Sequence, residues 1–482
     1  MINSNKKITP YNINVLPTKK EYFLYVAILL ICYTIALLAA WPGFFCYDAE
    51  RECYEVFTYR YANHHPFIHE LLLADTLRLG HLILGSYNAG ITMYCVAQMI
   101  VLSFIFAYMI LTMREYHLPF WAGITTSLFM GLFPPIAMFS VCTAKDGLFC
   151  GGMVLMATLL YRFIKNSDVV KSAKYYIFLV FSALLILFFR NNGLYVLALF
   201  SAILLVFTIK DKKNRRAFRN IFICITFSTV FYYAVIETLI AVVPVERGET
   251  REMLSVPIQQ LAIVHSEKRE TYSDEDLEIL YTLIPEIVLE RYNPKVADPV
   301  KVNFLEDNFK ADPQKYISLW FRTFLKQPGL YFKAFAKLTE GYWNPFTVIS
   351  GYEGIKINET VYGECAYFQY TVEVPGEAKP ILKGLNSLYR EISLNADVHR
   401  LPVIGFILAP ATWVWLFLIF FVLCIFKGGV KASLPYLVTT FTFLTVLLGP
   451  SSLVRYVLYM LLLLPLIIFD IVTRFKTGKS PQ

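Results

Sequence analysis

Ten long apolar runs decide what this chain can become. They cover residues 22–41, 90–112, 119–141, 147–163, 175–189, 193–209, 220–243, 404–426, 433–449 and 453–473. About 20 consecutive apolar residues, wound as a helix, cross the roughly 30 Å hydrocarbon core of a bilayer. A water-soluble helix keeps a polar face, whereas these runs are apolar nearly all round. The pattern predicts an all-α polytopic membrane protein of about ten transmembrane helices, with the lipid bilayer as its first partner. The first run lacks a small-residue cleavage site and leads into aromatic and charged residues, so it reads as a retained span rather than a secretory signal.

Orientation follows from Lys and Arg in the short connections. With the N-terminus inside, the inner segments carry 20 of these cations and the short outer ones six: Arg51, Arg60, Arg78, Lys145, Arg190 and Arg455. The expectation is a multi-pass protein of the cell membrane with both termini cytoplasmic. The net charge of +8 is accounted for by this inner bias, and no nucleic-acid partner is needed.

Three parts follow. Residues 1–243 form an N-terminal module of seven spans, whose first outer loop covers 42–89. Residues 244–403 hold scattered charge and Pro without a membrane-length run, and read as a mainly helical extracytoplasmic insertion. Residues 404–482 supply the last three spans. Within the insertion, Ser273 is a helix cap before an acidic turn, and Gln327-Pro328-Gly329 separates two helices. In the first outer loop, residues 66–84 alternate apolar positions with His69, Glu70, Asp75, Arg78 and His81, the pattern of a helix lying in the interface. Two apolar stretches are too long for one crossing: Tyr175 to Ile209 would make a helix of about 52 Å. It breaks at Arg190-Asn191-Asn192-Gly193, and the stretch from Pro119 to Phe163 breaks at Thr143-Ala144-Lys145-Asp146-Gly147. No internal repeat is evident, which gives no support to an inverted-repeat transporter.

The chemistry-bearing residues gather in the outer connections. Asp48, Glu52, His64 and His65 follow the first span, Lys145-Asp146 the third, Arg190-Asn191-Asn192 the fifth, and Arg455-Tyr456 precede the last. A cation at a helix end also suits simple snorkelling to headgroups. Three single cations in three very short outer turns, facing a carboxylate-rich loop, suit the phosphate of an anionic lipid. A carboxylate facing that phosphate suits glycosyl transfer, with Asp48 as the base that takes a proton from an acceptor hydroxyl. Glu52, four residues on, shares its face if that stretch is helical. Asp48, His64, His65 and Asp146 are also of metal-ligand type, so a divalent metal is an option; no spacing dictates one, and the catalytic expectation needs no cofactor. Among nine cysteines, Cys46 and Cys53 lie outside and are candidates to pair.

The order "WPG…YD" after the first span, "NHHP", "KD", "RNNGLYV", "SVPIQQLA", "YNPKVADPVK", "GYWNP" and a late "RY" resembles a bacterial membrane family catalogued as domain of unknown function 6020. The resemblance covers nearly the whole chain. That family is similar to the C-type glycosyltransferase (GT-C) superfamily, multispanning enzymes that use polyprenyl-phosphate sugars. The likeness implies a sugar transferase that builds a cell-envelope glycan, such as a cell-wall polysaccharide, on the outer membrane face. It also implies an acidic residue of the first outer loop at the active centre, matched here by Asp48; the superfamily's second acidic residue often adjoins the first, whereas Ala49 follows Asp48 here. A transporter or flippase of lipid-linked saccharides would also want outward cations, but would place more polar residues in mid-span than the single Gln98 near the centre of the second run. A polymerase or ligase of lipid-linked saccharides would share the large outer segment.

Overall fold

In a computed structural model, which describes residues 17–45, 48–62, 64–243, 245, 250–348, 356–357, 360–361 and 377–477, the described residues are mainly helical. The strand pairing among the described residues is a two-residue ladder, Lys356–Ile357 against Thr360–Val361.

The first half runs through ten helices. Helix α1 (Lys19–Ala40) starts on Thr18, whose hydroxyl accepts the Glu21 amide at 3.2 Å, and ends before Pro42. Two shorter helices follow, α2 (Ala49–Phe57) and α3 (Phe67–Leu84). Then come α4 (Tyr87–Glu115), α5 (Phe120–Leu132), α6 (Pro134–Ser140) and α7 (Asp146–Lys165). Helices α8 (Ala173–Phe189), α9 (Gly193–Lys210) and α10 (Arg215–Val242) complete this half.

The inserted part is built from short helices. They are α11 (Ser255–Lys268), α12 (Asp274–Leu283), α13 (Glu286–Leu289), α14 (Asp298–Lys301), α15 (Glu306–Ala311), α16 (Pro313–Lys326), α17 (Pro328–Leu338) and α18 (Glu340–Trp343). Ser273 caps α12 through the Asp276 amide at 3.1 Å, and the break between α16 and α17 falls at Gln327-Pro328. The chain returns through α19 (Lys383–Leu394), α20 (Ala396–Arg400) and α21 (Pro402–Leu408), and ends with α22 (Pro410–Ala432), α23 (Leu434–Val446) and α24 (Leu458–Thr477).

Among the described residues, seven helices are long and apolar enough to cross a membrane: α1, α4, α7, α9, α10, α22 and α24. The other three predicted spans take shorter forms. The run 119–141 becomes α5 and α6, bent by 66° where Pro134 and Pro135 remove two backbone donors. Helices α8 and α23 have only 17 and 13 residues, because turn-forming Asn, Gly and Pro cut their runs short. The run 404–426 is likewise divided at Ala409-Pro410, between α21 and α22.

One large hydrophobic core joins the spans of both halves, including Leu29, Ile110, Phe149, Leu197, Phe417 and Leu463. Residues of the insertion from Ile258 to Ala334 close a second core of their own, and Tyr342, Tyr389, Ile392 and Ala396 pack with the spans. Helix α3 lies directly on α4: a Cβ on Gly80 would sit 2.1 Å from the Gly90 nitrogen, so this crossing needs glycine on both sides.

Candidate active site

Five helix ends meet at one end of the bundle: α1 and α8 stop there, and α7, α9 and α24 begin there. Two loops zip together between them. The Phe44 amide donates to the Val141 carbonyl and the Thr143 amide to the Phe44 carbonyl, both at 2.9 Å. This pairing brings the start of α2 against the start of α7. The amide of Gln98, on α4, donates to the carbonyls of Phe139, Ser140 and Cys142 at 3.1, 3.1 and 2.8 Å. It thereby serves the carbonyls that the end of α6 leaves without helical partners. The same side chain presses on Gly147, where a Cβ would come within 2.6 Å of the Gln98 amide oxygen.

At this junction Lys145 is the hub. Its Nζ donates to Asp48 Oδ2 at 2.8 Å, to Glu52 Oε1 at 3.1 Å and to His65 Nδ1 at 2.9 Å. Arg455 Nη1 reaches the same Asp48 Oδ2 at 3.0 Å and lies 3.9 Å from Asp146 Oδ2. Arg190 Nε donates to Asp146 Oδ1 at 3.0 Å, and its Nη2 makes a further close contact with that oxygen. The guanidinium carbons of Arg190 and Arg455 sit 4.8 and 5.1 Å from the centre of the Tyr456 ring. Six ionisable side chains therefore form one network, three basic against three acidic.

The carboxylates differ in access. The Asp48 side chain is 26% exposed, Glu52 2% and Asp146 0%. Asp48 is thus the acid of the network that meets solvent. Burial works to raise the Asp48 carboxyl, but Arg455, Lys145 and His65 outweigh it and hold it well below the usual carboxylate range. Burial opposes ionisation of Glu52 too, and His69 and Lys145 overcome it. His65 goes the other way: burial, then the Lys145 charge, push it down to about 3. Since His65 Nδ1 accepts from Lys145, its ring proton sits on Nε2, and the ring is a donor there.

The expected residues do not all play one part. His64 joins through its ring, 4.5 Å edge-on from His65, and through its backbone carbonyl, which accepts Asn191 Nδ2 at 3.2 Å. Asn192 turns away, donating to Thr445 Oγ1 at 2.7 Å. Cys46 is outside the described residues, and so is the question of its pairing with Cys53.

Two residues of the site read differently in the sequence. His69 and Glu70 were expected on the polar face of an interfacial helix, yet both are fully buried. His69 Nδ1 lies 2.8 Å from Glu52 Oε2, and its Nε2 meets Tyr94 Oη and the Thr143 carbonyl at 3.0 and 3.1 Å. Among the described residues, neither Glu70 carboxyl oxygen has a hydrogen-bond partner. Burial, with Glu52 and Glu55 nearby, pushes the Glu70 carboxyl up to about 9.

Among the described residues, Asp48, Glu52 and His65 are the group that could hold a metal ion, their ligand atoms lying within 4.8 Å of one another. The Lys145 ammonium already contacts all three residues, so a divalent ion would compete with it for the same positions. His64 and Asp146 stand outside that group.

A family model described as "Family of unknown function (DUF6020)" matches residues 55–480. The chain belongs to this family. No curated protein and no solved structure matches it. Several stretches that carried the resemblance to DUF6020 turn out to be joints around the site. In "YNPKVADPVK" the Ala297 amide donates to the Pro450 carbonyl at 2.8 Å, and in "GYWNP" the Tyr342 hydroxyl donates to the Ser451 carbonyl at 3.2 Å. Both fasten the insertion to the turn that presents Arg455.

Proposed function

We propose that this protein is an integral membrane glycosyltransferase. On this reading it moves a sugar from a polyprenyl-phosphate donor to a cell-envelope glycan or glycopolymer at the outer face of the cytoplasmic membrane. The reading takes ten crossings with both termini cytoplasmic and hence an outward-facing ion network, counting the broken α5–α6 path and the short α8 and α23 as spans beside the seven long helices. The observation that carries the reading is Asp48: a partly exposed carboxylate, gripped by Lys145 and Arg455 from distant turns, beside the end of a membrane helix. The resemblance to GT-C enzymes supports the same assignment.

The chemistry is then direct. Asp48 takes the proton of an acceptor hydroxyl while that oxygen attacks the anomeric carbon of the donor. The bond from that carbon to the phosphate oxygen breaks, and polyprenyl phosphate leaves with the electron pair. Lys145, Arg190 and Arg455 stabilise the charge that gathers on it. Glu52 and His65 hold Lys145 in place, and Tyr456 holds the two guanidiniums.

The test is release of polyprenyl phosphate from purified protein supplied with a panel of polyprenyl-phosphate sugars. Release dependent on Asp48 supports the reading. Folded protein that binds such lipids and moves them between leaflets of a vesicle, without release, replaces the transferase with a flippase.

A further inference from the structure

We propose that Asp48 and Asp146 stand where the oxygens of the donor phosphate sit once it binds, so that the resting site is an anion site filled by the protein's own carboxylates. The ligand class rests on the polyprenyl-phosphate reading above; the place and the exchange are new.

Three observations carry it. One oxygen, Asp48 Oδ2, takes both Lys145 at 2.8 Å and Arg455 at 3.0 Å. A single oxygen bridging two cations from separate turns is the role a phosphate oxygen plays between an ammonium and a guanidinium. Asp146 joins two cations through separate oxygens, with Arg190 on Oδ1 and Arg455 3.9 Å from Oδ2, and among the described residues that buried second oxygen has no hydrogen-bond partner. Finally, two guanidiniums are held against one Tyr456 ring. Like charges kept that close are costly to assemble unless an anion lies between them.

The exchange is like for like at the cations. The sugar-linked phosphate is a diester with one negative charge, the same as the carboxylate whose place it takes. Lys145 and Arg455 change partners, and Asp48 stays beside them as an added, unpaired negative charge, which raises its basicity. Asp48, released from two cations, is then free to accept the hydroxyl proton. After transfer, polyprenyl phosphate is a monoester, carries more charge, and holds the cations until it leaves. Asp48 then passes its proton to water or to the departing monoester phosphate, and the regenerated carboxylate takes Lys145 and Arg455 back as the lipid leaves.

A carboxylate that competes with the ligand has a distinctive signature. Removing its charge should tighten binding of the phosphate, whereas removing a structural pin should leave it unchanged or weaken it. The measurement is equilibrium binding of undecaprenyl phosphate to the full-length protein in nanodiscs, for wild type, Asp48→Asn and Asp146→Asn, with inorganic phosphate in a parallel series. The expected result is about tenfold tighter lipid binding by Asp48→Asn, the scale of one charge-assisted contact removed from the competition. Unchanged or weaker binding by folded Asp48→Asn overturns the proposal. Should that variant fail to fold, Asp146→Asn decides by the same criterion through Arg190 and Arg455. A gain seen with inorganic phosphate and not with the lipid overturns the lipid assignment. The probe carries no sugar, so the two ideas separate: tightening without transfer from any donor removes glycosyl transfer and keeps the anion site. Transfer without tightening does the reverse.

Discussion

A carboxylate that bridges two cations and still meets solvent is poorly placed as a mere structural pin, since exposure weakens each of its ion pairs. Asp48 is such a residue, and its depressed basicity in the resting site calls for a partner that takes the cations away. The replacement Asp48→Asn keeps shape and removes only the proton acceptor. Turnover of a polyprenyl-phosphate sugar should fall by about 10²–10⁴-fold, the usual contribution of a general base. Near-normal turnover in steady-state assays would transfer that role to another acid of the loop. Glu70 makes a prediction of a different kind. Its carboxyl rises from 4.5 to about 9 on folding, because burial and the neighbouring Glu52 and Glu55 oppose its charge. The folded state therefore holds this proton more tightly than the unfolded state. Stability from this group is complete below the unfolded value and is lost as pH climbs through the folded one. Glu70→Gln should flatten that loss: thermal unfolding in detergent should match wild type near pH 5 and lie above it near pH 8, where each pH unit is worth about 1.4 kcal/mol. Parallel pH profiles for the two proteins would count against a neutral, buried Glu70.

At the scale of helices, the site depends on one side chain that donates to three carbonyls. Gln98 steadies the turn between α6 and α7, and that turn presents Lys145. Gln98→Leu fits the volume but removes the side-chain donor that serves those buried carbonyls. The expected cost is about 1–3 kcal/mol, read as a lower unfolding temperature, with a weakened grip on the donor because Lys145 loses its mount. A change in neither would mean that the zipped strands at Phe44 and Thr143 hold the turn unaided. Much of the helix plan was legible: apolar runs became helices, and breaks fell at the Pro, Gly and Asn signals. Gln98 stood out in the sequence as polar in mid-span, but its partners lie more than 40 residues away, and no periodicity encodes that distance. Helix α3 shows the same limit. Its alternation marked a polar face, yet only the packing of Gly80 on Gly90 decides that His69 and Glu70 point inward while Asp75, Arg78 and His81 stay out. Asp470 was read as part of an apolar run. It is fully buried, with Lys165 at 3.0 Å and Arg474 at 2.9 Å, because cations from α7 and from the next turn of α24 cover it.

For the molecule as a whole, orientation carries the consequences. The insertion and the ion network share one side, since Ala297 and Tyr342 fasten to the turn that precedes Arg455. The connection that holds Lys213 lies at the opposite end, where α9 stops and α10 begins. Whichever way the bundle faces, these two regions are separated by the membrane. The cation bias, 20 in the inner segments against six in the short outer ones, predicts the direction, with Lys213 in the cytoplasm. Polyprenyl-phosphate sugars serving envelope polymers are used outside, so the catalytic reading requires that direction. Gln314 lies in the first turn of α16 and is exposed, as is Lys213, so a cysteine at either position meets solvent. In intact cells, a membrane-impermeant maleimide should label Gln314→Cys, and label Lys213→Cys only after the membrane is opened. Each should exceed the labelling of the parent protein, whose described cysteines are mostly buried. The reverse pattern would place Asp48, Lys145 and Arg455 in the cytoplasm, where a lipid-linked donor facing outward could not reach them.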